Sequence, residues 1–329
     1  MHRRKRYALA GCFLLVVAVL LGACQTNPPN ETSASPNQGK QAESGKEAGK
    51  NTRTYASEKG DVEIPDNPSR VVVAVRDFAG DVMAAGVKPV GVPDSMIFDA
   101  PYYKEFLDGV ESIGADNAVS LERIASLDPD LILTYQEDAY DNLSKIAPTI
   151  LIPYGKYDYK DRLLEIGKLL NKEAEAKQRL DQFQQKVEAK KQQLAGKLNA
   201  GAKAAIIEIT DKDLYLFGKT YGRGAEIVYN QLGLSIPAKV EEATAAEGWA
   251  SISLETLPEY LGEADYILLG VRDTGAQRKT EIEASRLWTE LPAVKAGKVY
   301  AYNLQEFYFQ DVIALEHQLN VLTDFLLSK

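Results

Sequence analysis

Short apolar runs rich in β-branched residues recur along the chain from about Tyr55 onward. Runs of this length between turn residues are typical of buried strands. Helices are predicted between them, one ended by Gly86 and another by Asn171. In the first half the predicted strands are 70–75, 87–92, 130–135 and 149–152, and the predicted helices are 79–85, 121–127 and 161–170. Strands that alternate with helices predict an α/β fold with a parallel sheet.

A longer segment, residues 172–194, contains no Gly or Pro and is rich in Ala, Glu, Lys and Gln. Its larger apolar residues are Leu180, Phe183, Val187 and Leu194, which form one narrow stripe on a helix. At 1.5 Å per residue this helix would be roughly 35 Å long, about the width of a small domain. The pattern predicts a strut that contacts two lobes along one side. An ordinary surface helix of a single domain is the alternative.

A second α/β set follows Gly201. Its predicted strands are 204–209, 214–217, 266–270 and 299–302, and its predicted helices are 225–232 and 312–327. The phrase Val-Ser-Leu-Glu-Arg-Ile at 119–124 returns as Ile-Ser-Leu-Glu-Thr-Leu at 252–257, each time followed by Asp and an aliphatic run. This weak internal repeat on either side of a long helix predicts two similar lobes.

The N-terminus carries four basic residues at 3–6 and then an apolar run over 8–21, which is too short to span a bilayer comfortably. A basic start, a short apolar stretch and small residues at the break are typical of a secretory signal. The sequence Leu-Gly-Ala before Cys24 resembles the lipobox of bacterial lipoproteins. That resemblance implies cleavage before Cys24 and diacylation of its sulfur. A plain signal peptide, or a poor membrane helix, is the alternative.

The next segment, 25–53, is rich in Asn, Pro, Ser, Gly, Glu and Lys and has almost no apolar residues. Such a segment cannot bury enough surface to fold, so we expect a flexible tether. The expected organisation is a signal peptide at 1–23, a tether at 24–54, an N-terminal lobe at 55–171, a linker helix at 172–197 and a C-terminal lobe at 198–329.

Composition limits the classes of function that the chain can have. The 329 residues are 45% hydrophobic, which suffices for one large domain or two ordinary ones. The net charge is −9 and becomes −13 without residues 1–23, because four cationic residues and no acid are lost. An acidic body without a basic block argues against nucleic-acid binding. The two Cys residues are Cys12 and Cys24, so the folded body has no disulfide, no thiolate nucleophile and no cysteine metal site.

Several phrases occur in the order and spacing seen in Gram-positive iron-siderophore binding proteins. They are Val-Lys-Pro-Val-Gly at 87–91, Ser-Leu-Glu at 120–122, Leu-Asp-Pro-Asp-Leu-Ile at 127–132, Phe-Gly-Lys-Thr-Tyr-Gly-Arg-Gly at 217–224, and Trp-Ala at 249–250 before Ser-Leu-Glu at 253–255. With its lipobox and long helix, the chain resembles the helical-backbone class of ABC-importer binding proteins. The resemblance covers nearly all of the chain after the tether and implies two Rossmann-like α/β lobes joined by one long α-helix, a class III periplasmic-binding-protein-like fold.

The resemblance also implies a role. A monomeric receptor, lipid-anchored through Cys24 on the extracytoplasmic face of a Gram-positive cell membrane, would capture a ferric siderophore of hydroxamate or carboxylate–hydroxamate type. It would then deliver that ligand to the permease subunits of an ABC transporter. Iron would arrive already wrapped by the siderophore, so no cofactor, no protein-bound metal and no catalysis are expected.

The phrase Tyr221-Gly222-Arg223-Gly224 is the main binding candidate. Two glycines permit an unusual backbone and are expected to expose Arg223. A planar guanidinium can donate two hydrogen bonds to ligand oxygens, and aromatic faces can cover an organic scaffold. By the resemblance, Tyr221, Arg223 and Tyr215 occupy pocket positions. A helix-start turn with a solvated Arg223 is the alternative.

Other ligand-binding candidates are aromatic or basic residues near the ends of predicted strands, where cleft loops begin. They are Tyr308, Trp249, Arg76, Phe78, Tyr135, Tyr154 and Arg272. By the resemblance, Tyr308 reaches the cleft from the second lobe. Core aromatics are the alternative for the residues around it.

Glu122 and Glu255 each follow a candidate helix N-cap, Ser120 or Ser253. At the second helical position an acid stabilises the helix dipole by roughly 0.3–1 kcal/mol. The resemblance implies that the two acids, one per lobe, also pair with Arg residues of the permease.

Two kinds of alternative remain. Within the same class, the ligand could be a catecholate siderophore, haem or cobalamin, although a strongly anionic triscatecholate would need a denser Lys/Arg cluster than the sequence contains. From another class, a lipid-anchored extracytoplasmic hydrolase would need a nucleophile–base phrase. His317 is the sole His beyond the signal and has no partner phrase, and one His cannot form a His-rich zinc site.

Overall fold

The computed structural model describes residues 51–94 and 96–329. The predicted signal peptide, Cys24 and the predicted tether up to residue 50 lie outside these residues. Within the described part of the chain, no helix is both long enough and apolar enough to cross a membrane.

The first lobe is built on a five-stranded sheet in which every pairing is parallel. The strands of the whole lobe are β1 (Thr52–Ser57), β2 (Gly60–Pro65), β3 (Val71–Val73), β4 (Gly91–Val92), β5 (Glu111–Ser112), β6 (Gly114–Ala115), β7 (Ala118–Val119), β8 (Leu131–Thr134) and β9 (Thr149–Leu151). Of these described strands, β1 pairs only with β2 and β6 only with β7, outside the five-stranded sheet. The helices are α1 (Ala79–Ala84), α2 (Leu121–Ser126), α3 (Glu137–Leu143) and α4 (Tyr159–Leu170). The sheet order is β5-β4-β3-β8-β9. Its central strands β3 and β8 are buried at every position, as their continuous apolar runs predict.

The second lobe follows helix α5 (Glu173–Leu194) and has a mixed sheet of order β12-β11-β10-β13-β14. Its strands are β10 (Ala204–Ile209), β11 (Leu214–Phe217), β12 (Trp249–Ile252), β13 (Tyr266–Val271) and β14 (Val299–Asn303), and its helices are a π-helix (Glu226–Gln231), α6 (Ala238–Thr244), α7 (Leu257–Leu261), α8 (Ala276–Ala284), α9 (Arg286–Thr289), α10 (Pro292–Lys295), α11 (Leu304–Phe307) and α12 (Val312–Leu327). β11 and β12 are antiparallel to their neighbours. The parallel pattern fails here because a four-residue connection from β10 to β11 permits only a hairpin.

Helix α5 contacts both lobes. The predicted stripe faces inward, with Phe183, Val187 and Leu194 buried. Near its start the helix packs on α4, where Gly167 is so close to Ala176 that a Cβ on the glycine would lie 2.8 Å from the Ala176 Cβ. Further along it packs on α12, the last helix of the second lobe. These contacts support the predicted strut rather than an ordinary surface helix.

The lobes also meet directly where α1 packs on α12. A Cβ at Gly80 would lie 2.1 Å from the carboxylate carbon of Asp311, so the contact requires glycine. Asp311 is buried and caps α12 by accepting hydrogen bonds from the backbone N–H groups of Ile313 and Ala314. It also accepts a hydrogen bond from the Tyr103 hydroxyl of the first lobe. One carboxylate therefore both starts a helix and joins two lobes.

The hairpin β1–β2 was not predicted, and its first strand begins within the last residues assigned to the tether. β1 alternates exposed and half-buried residues, and β2 is mostly exposed until its last two residues, Ile64 and Pro65, which are buried. The hairpin is held against α4, which lies far away in the sequence. Arg53 donates to the carbonyl of Leu169 at 3.0 Å, and Tyr55 donates to Glu165. The helices α6–α10 were likewise not predicted.

The packing of α5 predicts a stability difference between two residues on opposite sides of the helix, Phe183 and Gln185. Phe183 is buried and lies 6.0 Å, ring to ring, from Tyr159 of α4, so Phe183→Ala should lower the free energy of unfolding by about 3–5 kcal/mol. Exposed Gln185→Ala on the same helix should change it by less than about 0.5 kcal/mol. Urea unfolding followed by circular dichroism measures both. Equal effects would contradict a strut buried on one side.

Candidate functional site

A cavity of about 600 Å³ opens between the two lobes. Its first-lobe wall comes from the loops after β3 and β9, and its second-lobe wall comes from the loop after β11 and the segment before α12. In open α/β sheets, ligands bind beyond the carboxyl ends of the strands, as here. Of the predicted site residues, those that line the cavity are Phe78, Tyr154, Tyr221, Arg223 and Tyr308. Those that do not line it are Arg76, Tyr135, Tyr215, Trp249 and Arg272.

Arg223 lies at the cavity wall but is not exposed, and the sequence-based expectation on this point is wrong. Its side chain is 7% accessible, and its Nε donates to Glu208 Oε2 at 2.6 Å. The backbone is left-handed at Gly222, Arg223 and Gly224. A Cβ on Gly224 would lie 2.9 Å from Phe307, so the turn is pressed against the protein and directs Arg223 inward.

The Arg223 guanidinium lies among aromatic rings. Its central carbon is 5.4 Å from the Phe217 ring centroid, 5.9 Å from Tyr221 and 4.9 Å from Tyr308. The Phe217 and Tyr221 rings are stacked 5.1 Å apart, and Tyr221 remains partly exposed to the cavity. Such contacts stabilise a desolvated guanidinium and hold it in one position.

Tyr308 connects the two walls. Arg76, from the first lobe, donates to the Tyr308 hydroxyl and lies 4.7 Å from its ring centroid, so the ring contacts both Arg76 and Arg223. Asp116 pairs with Arg76 at 3.4 Å. Burial raises the pKa of Tyr308, so its hydroxyl stays protonated and can donate to a ligand. Arg76 therefore supports the wall although it does not line the cavity.

The first-lobe wall is an aromatic row. Tyr135 contacts Phe78 at 5.6 Å and Tyr154 at 5.3 Å, both edge to face. The Tyr135 hydroxyl donates to Asp77 at 3.0 Å, and burial raises the pKa of both groups. Tyr154 is 74% exposed although aromatic, and it faces the cavity. Tyr135 thus supports the exposed ring of Tyr154 and the ring of Phe78, which lines the cavity but is 3% exposed.

Tyr215 and Trp249 form a separate pair on β11 and β12. Their rings lie 5.5 Å apart, and the Tyr215 hydroxyl donates to Asp213 at 3.2 Å. Neither lines the cavity. The predictions that they contact ligand remain predictions, without support from the cavity geometry.

Sequence reasoning missed several polar lining residues, among them Arg162, Asp158 and Lys219. Arg162 pairs through Nε with the fully buried Asp81 at 2.6 Å, and burial raises the pKa of Asp81 to about 7 against the opposing effect of Arg162. Asp158 is the N-cap of α4. An Asp four residues before an Arg at a helix start is a detectable cap signal, but nothing local shows that the helix points at a cavity.

Glu122 and Glu255 are both exposed and lie away from the cavity. Glu122 is the second residue of α2, and the Ser120 side chain caps that helix as predicted. Glu255 is the second residue of a short 3₁₀ turn, Leu254–Thr256, that Ser253 does not cap through its side chain. Hydrogen bonds to its own backbone N–H and to Ser253 lower the pKa of Glu255, so this acid stays ionised.

The described residues contain no group of three or more His, Cys, Asp or Glu side chains placed to hold a metal ion. His317 lies 3.3 Å from Glu306 and 5.0 Å, ring to ring, from Tyr102. The cavity instead offers aromatic faces, hydroxyls and guanidinium groups. That chemistry suits an organic ligand with many oxygen acceptors.

Comparison with known proteins agrees with this geometry. The family model for periplasmic binding proteins matches residues 71–305. The iron(3+)-hydroxamate-binding protein FhuD of Bacillus subtilis is 37% identical over 96% of each chain.

Two solved structures share the two-lobed α/β architecture. One, the FhuD fold-family binding component of a Fep/Fec-like ferrichrome ABC transporter from Bacillus subtilis, has 36% identity and a TM-score of 0.76 over 84% of this chain and all of that one. The other, FhuD2 from Staphylococcus aureus with bound ferrioxamine B, has 25% identity and a TM-score of 0.70 over 79% and 99%. They confirm the predicted fold class. From the match over most of its length, the chain belongs to the periplasmic binding protein family, a family of substrate-binding transport proteins.

Proposed function

We propose that this protein captures a ferric siderophore of hydroxamate or carboxylate–hydroxamate type in the interlobe cavity and delivers it to an ABC importer. The observation that carries the proposal is the lining: aromatic faces on both walls around Arg223 and Tyr308, in a chain closely similar to a hydroxamate-binding relative. The proposed role is binding and release, without catalysis.

The chemistry of such a ligand fits the lining. A hydroxamate siderophore fills the coordination sphere of Fe³⁺ with its own oxygens, so the receptor needs no metal ligands. It needs hydrogen-bond donors for those oxygens and apolar faces for the organic scaffold. Arg223 and Tyr308 supply donors, and Tyr154 and Tyr221 supply exposed faces.

Delivery requires contact with the permease. The support for Glu122 and Glu255 in that role is their position: each is exposed, each lies at the start of a helical turn, and they come from different lobes. A carboxylate can accept two hydrogen bonds from one Arg, which fixes orientation as well as adding energy. A monomer with one such acid per lobe suits a permease of two subunits.

The location follows from the N-terminus. We propose that Cys24 carries the lipid that anchors the chain to the extracytoplasmic face of the cell membrane, because two acyl chains anchor stably where one is marginal. The anchor would hold the receptor close to the permease and raise its effective concentration there, so docking needs only modest affinity.

The binding proposal is tested by titrating residues 51–329 with ferrioxamine B and ferrichrome and following Tyr and Trp fluorescence. Both ferric complexes should quench it with saturation, and Tyr154→Ala or Tyr221→Ala should each lower affinity about tenfold, a cost of ~1.4 kcal/mol. Phe98→Ala removes an exposed aromatic outside the cavity and should leave affinity unchanged. Absence of quenching by any ferric siderophore would exclude the proposed function.

The docking proposal predicts a separation of binding from uptake. Glu122→Ala combined with Glu255→Ala should abolish uptake of radiolabelled ferrichrome by cells, because both permease contacts are lost. Affinity in the fluorescence titration should not change, since neither acid lines the cavity. The matched control replaces two other exposed acids, Glu105 and Glu281, by Ala and should keep uptake. If the docking pair lost ligand affinity instead, the two acids would belong to the binding site.

The anchor proposal predicts where the protein is found. Cys24→Ala should release the chain from the membrane fraction, and mass spectrometry of the wild-type N-terminus should find a diacylated Cys24. Cys12→Ala, within the segment that is removed, should leave membrane association intact. An unmodified Cys24 in membrane-bound wild-type protein would refute the lipid anchor.

A further inference from the structure

Strand β10 contains one charged residue among aliphatic ones. All six of its positions are buried, and Glu208 is completely inaccessible. A carboxylate in such a place is strongly unfavourable unless it is paired and hydrogen-bonded. Glu208 is paired twice: Oε2 accepts from Arg223 Nε at 2.6 Å, and Oε1 accepts from Arg272 Nε at 2.5 Å.

The pairing leaves part of Arg223 available. Among the described residues, Glu208 is the hydrogen-bond acceptor of Arg223, and it uses Nε alone. The two terminal nitrogens, which carry four of the five guanidinium N–H groups, remain for a ligand. Glu208 and the nearby rings of Phe217 and Tyr308 restrict the direction in which those nitrogens point.

The pairing also removes net charge. Arg272 is 47% accessible and lies outside the cavity, so solvent screens part of its charge, whereas Arg223 and Glu208 are shielded together. Arg162, which also lines the cavity, pairs through Nε with Asp81 at 2.6 Å. Arg76, which supports the wall from behind, pairs through a terminal nitrogen with Asp116 at 3.4 Å. The cavity therefore presents guanidinium donors with little net positive charge.

Ferric siderophores differ in charge. Three singly charged hydroxamates neutralise Fe³⁺, and an added amine makes the complex cationic. Complexes that bind through several carboxylates or catecholates are anionic. A cavity in which carboxylates compensate the charge of the arginines can donate hydrogen bonds to neutral and cationic complexes. It gains little Coulomb energy from anionic complexes.

We propose that Glu208 is a specificity-determining residue: by orienting and neutralising Arg223, it makes the cavity select neutral and cationic ferric hydroxamates over anionic ferric complexes. The inference rests on the proposed function and narrows its ligand class. Glu208 acts through Arg223, so it is a positioning residue.

The test uses three ligands with the same iron centre: ferrioxamine B, whose tail is an ammonium, its N-acetyl derivative, which is neutral, and its N-succinyl derivative, which is anionic. Fluorescence titration at low, fixed ionic strength gives the affinity for each. The wild-type protein should bind the first two at least about tenfold more tightly than the third. Failure to bind any of the three or ferrichrome would refute the proposed function itself, whereas equal affinity for all three would refute only the charge selection.

Two substitutions should shift the selectivity in opposite directions. Glu208→Gln leaves Arg223 uncompensated and should move the ratio of anionic to neutral affinity about tenfold toward the anionic ligand. Arg272→Gln leaves the Glu208 carboxylate with Arg223 as its one partner. This substitution should move the ratio toward the neutral ligand. Exposed Glu259→Gln, whose partner Lys239 lies outside the cavity, should not move it.

A purely structural role for Glu208 would weaken all three ligands alike, and that result would overturn the inference. Arg272→Gln changes a half-exposed side chain, so it decides the question even where Glu208→Gln fails to fold. An unchanged ratio in Arg272→Gln would refute the inference.

Discussion

The carboxylate of Asp311 is the contact on which the shape of the cavity depends. It caps the last helix, accepts the Tyr103 hydroxyl of the first lobe, and lies against Gly80, where no side chain would fit. The residues directly before it, Tyr308 to Gln310, line the cavity. Because Asp311 contacts both lobes, it helps to hold the segment that carries Tyr308 in place between them.

The arginines at the cavity act as hydrogen-bond donors and not as uncompensated charges, because each is paired with a carboxylate. Burying a guanidinium alone would be costly, and pairing it with a carboxylate restores much of the lost solvation. The arrangement at Glu208, Arg223 and Tyr308 satisfies the arginine from one side and leaves its other side for a ligand. A receptor that must bind its ligand tightly and still release it to a permease benefits from such moderate, directional contacts.

The long helix α5 packs against both elements that position these residues. It lies on α4, whose first turn carries Arg162 into the cavity, and on α12, which begins at Asp311. Salt bridges from Arg179 and Lys186 to Glu316 add to that second contact. Glu122 and Glu255, the proposed docking acids, lie on α2 and on the turn Leu254–Thr256, one in each lobe.

The amino-acid sequence alone determined most of the framework. Strands β10 and β11 and helix α12 have the predicted bounds, because a continuous apolar run bounded by turn or capping residues is a signal contained in the local sequence. The motif around Arg223 could also be recognised from the sequence. The burial of the Arg223 side chain could not be predicted, and neither could the role of Glu208, whose two partners lie 15 and 64 positions away in the chain. Their meeting depends on the parallel register of β10 and β13, in which Glu208 faces Gly270 just before Arg272. Local pattern specifies elements, whereas the pairing of charges across a sheet and between lobes exists only once the chain has folded.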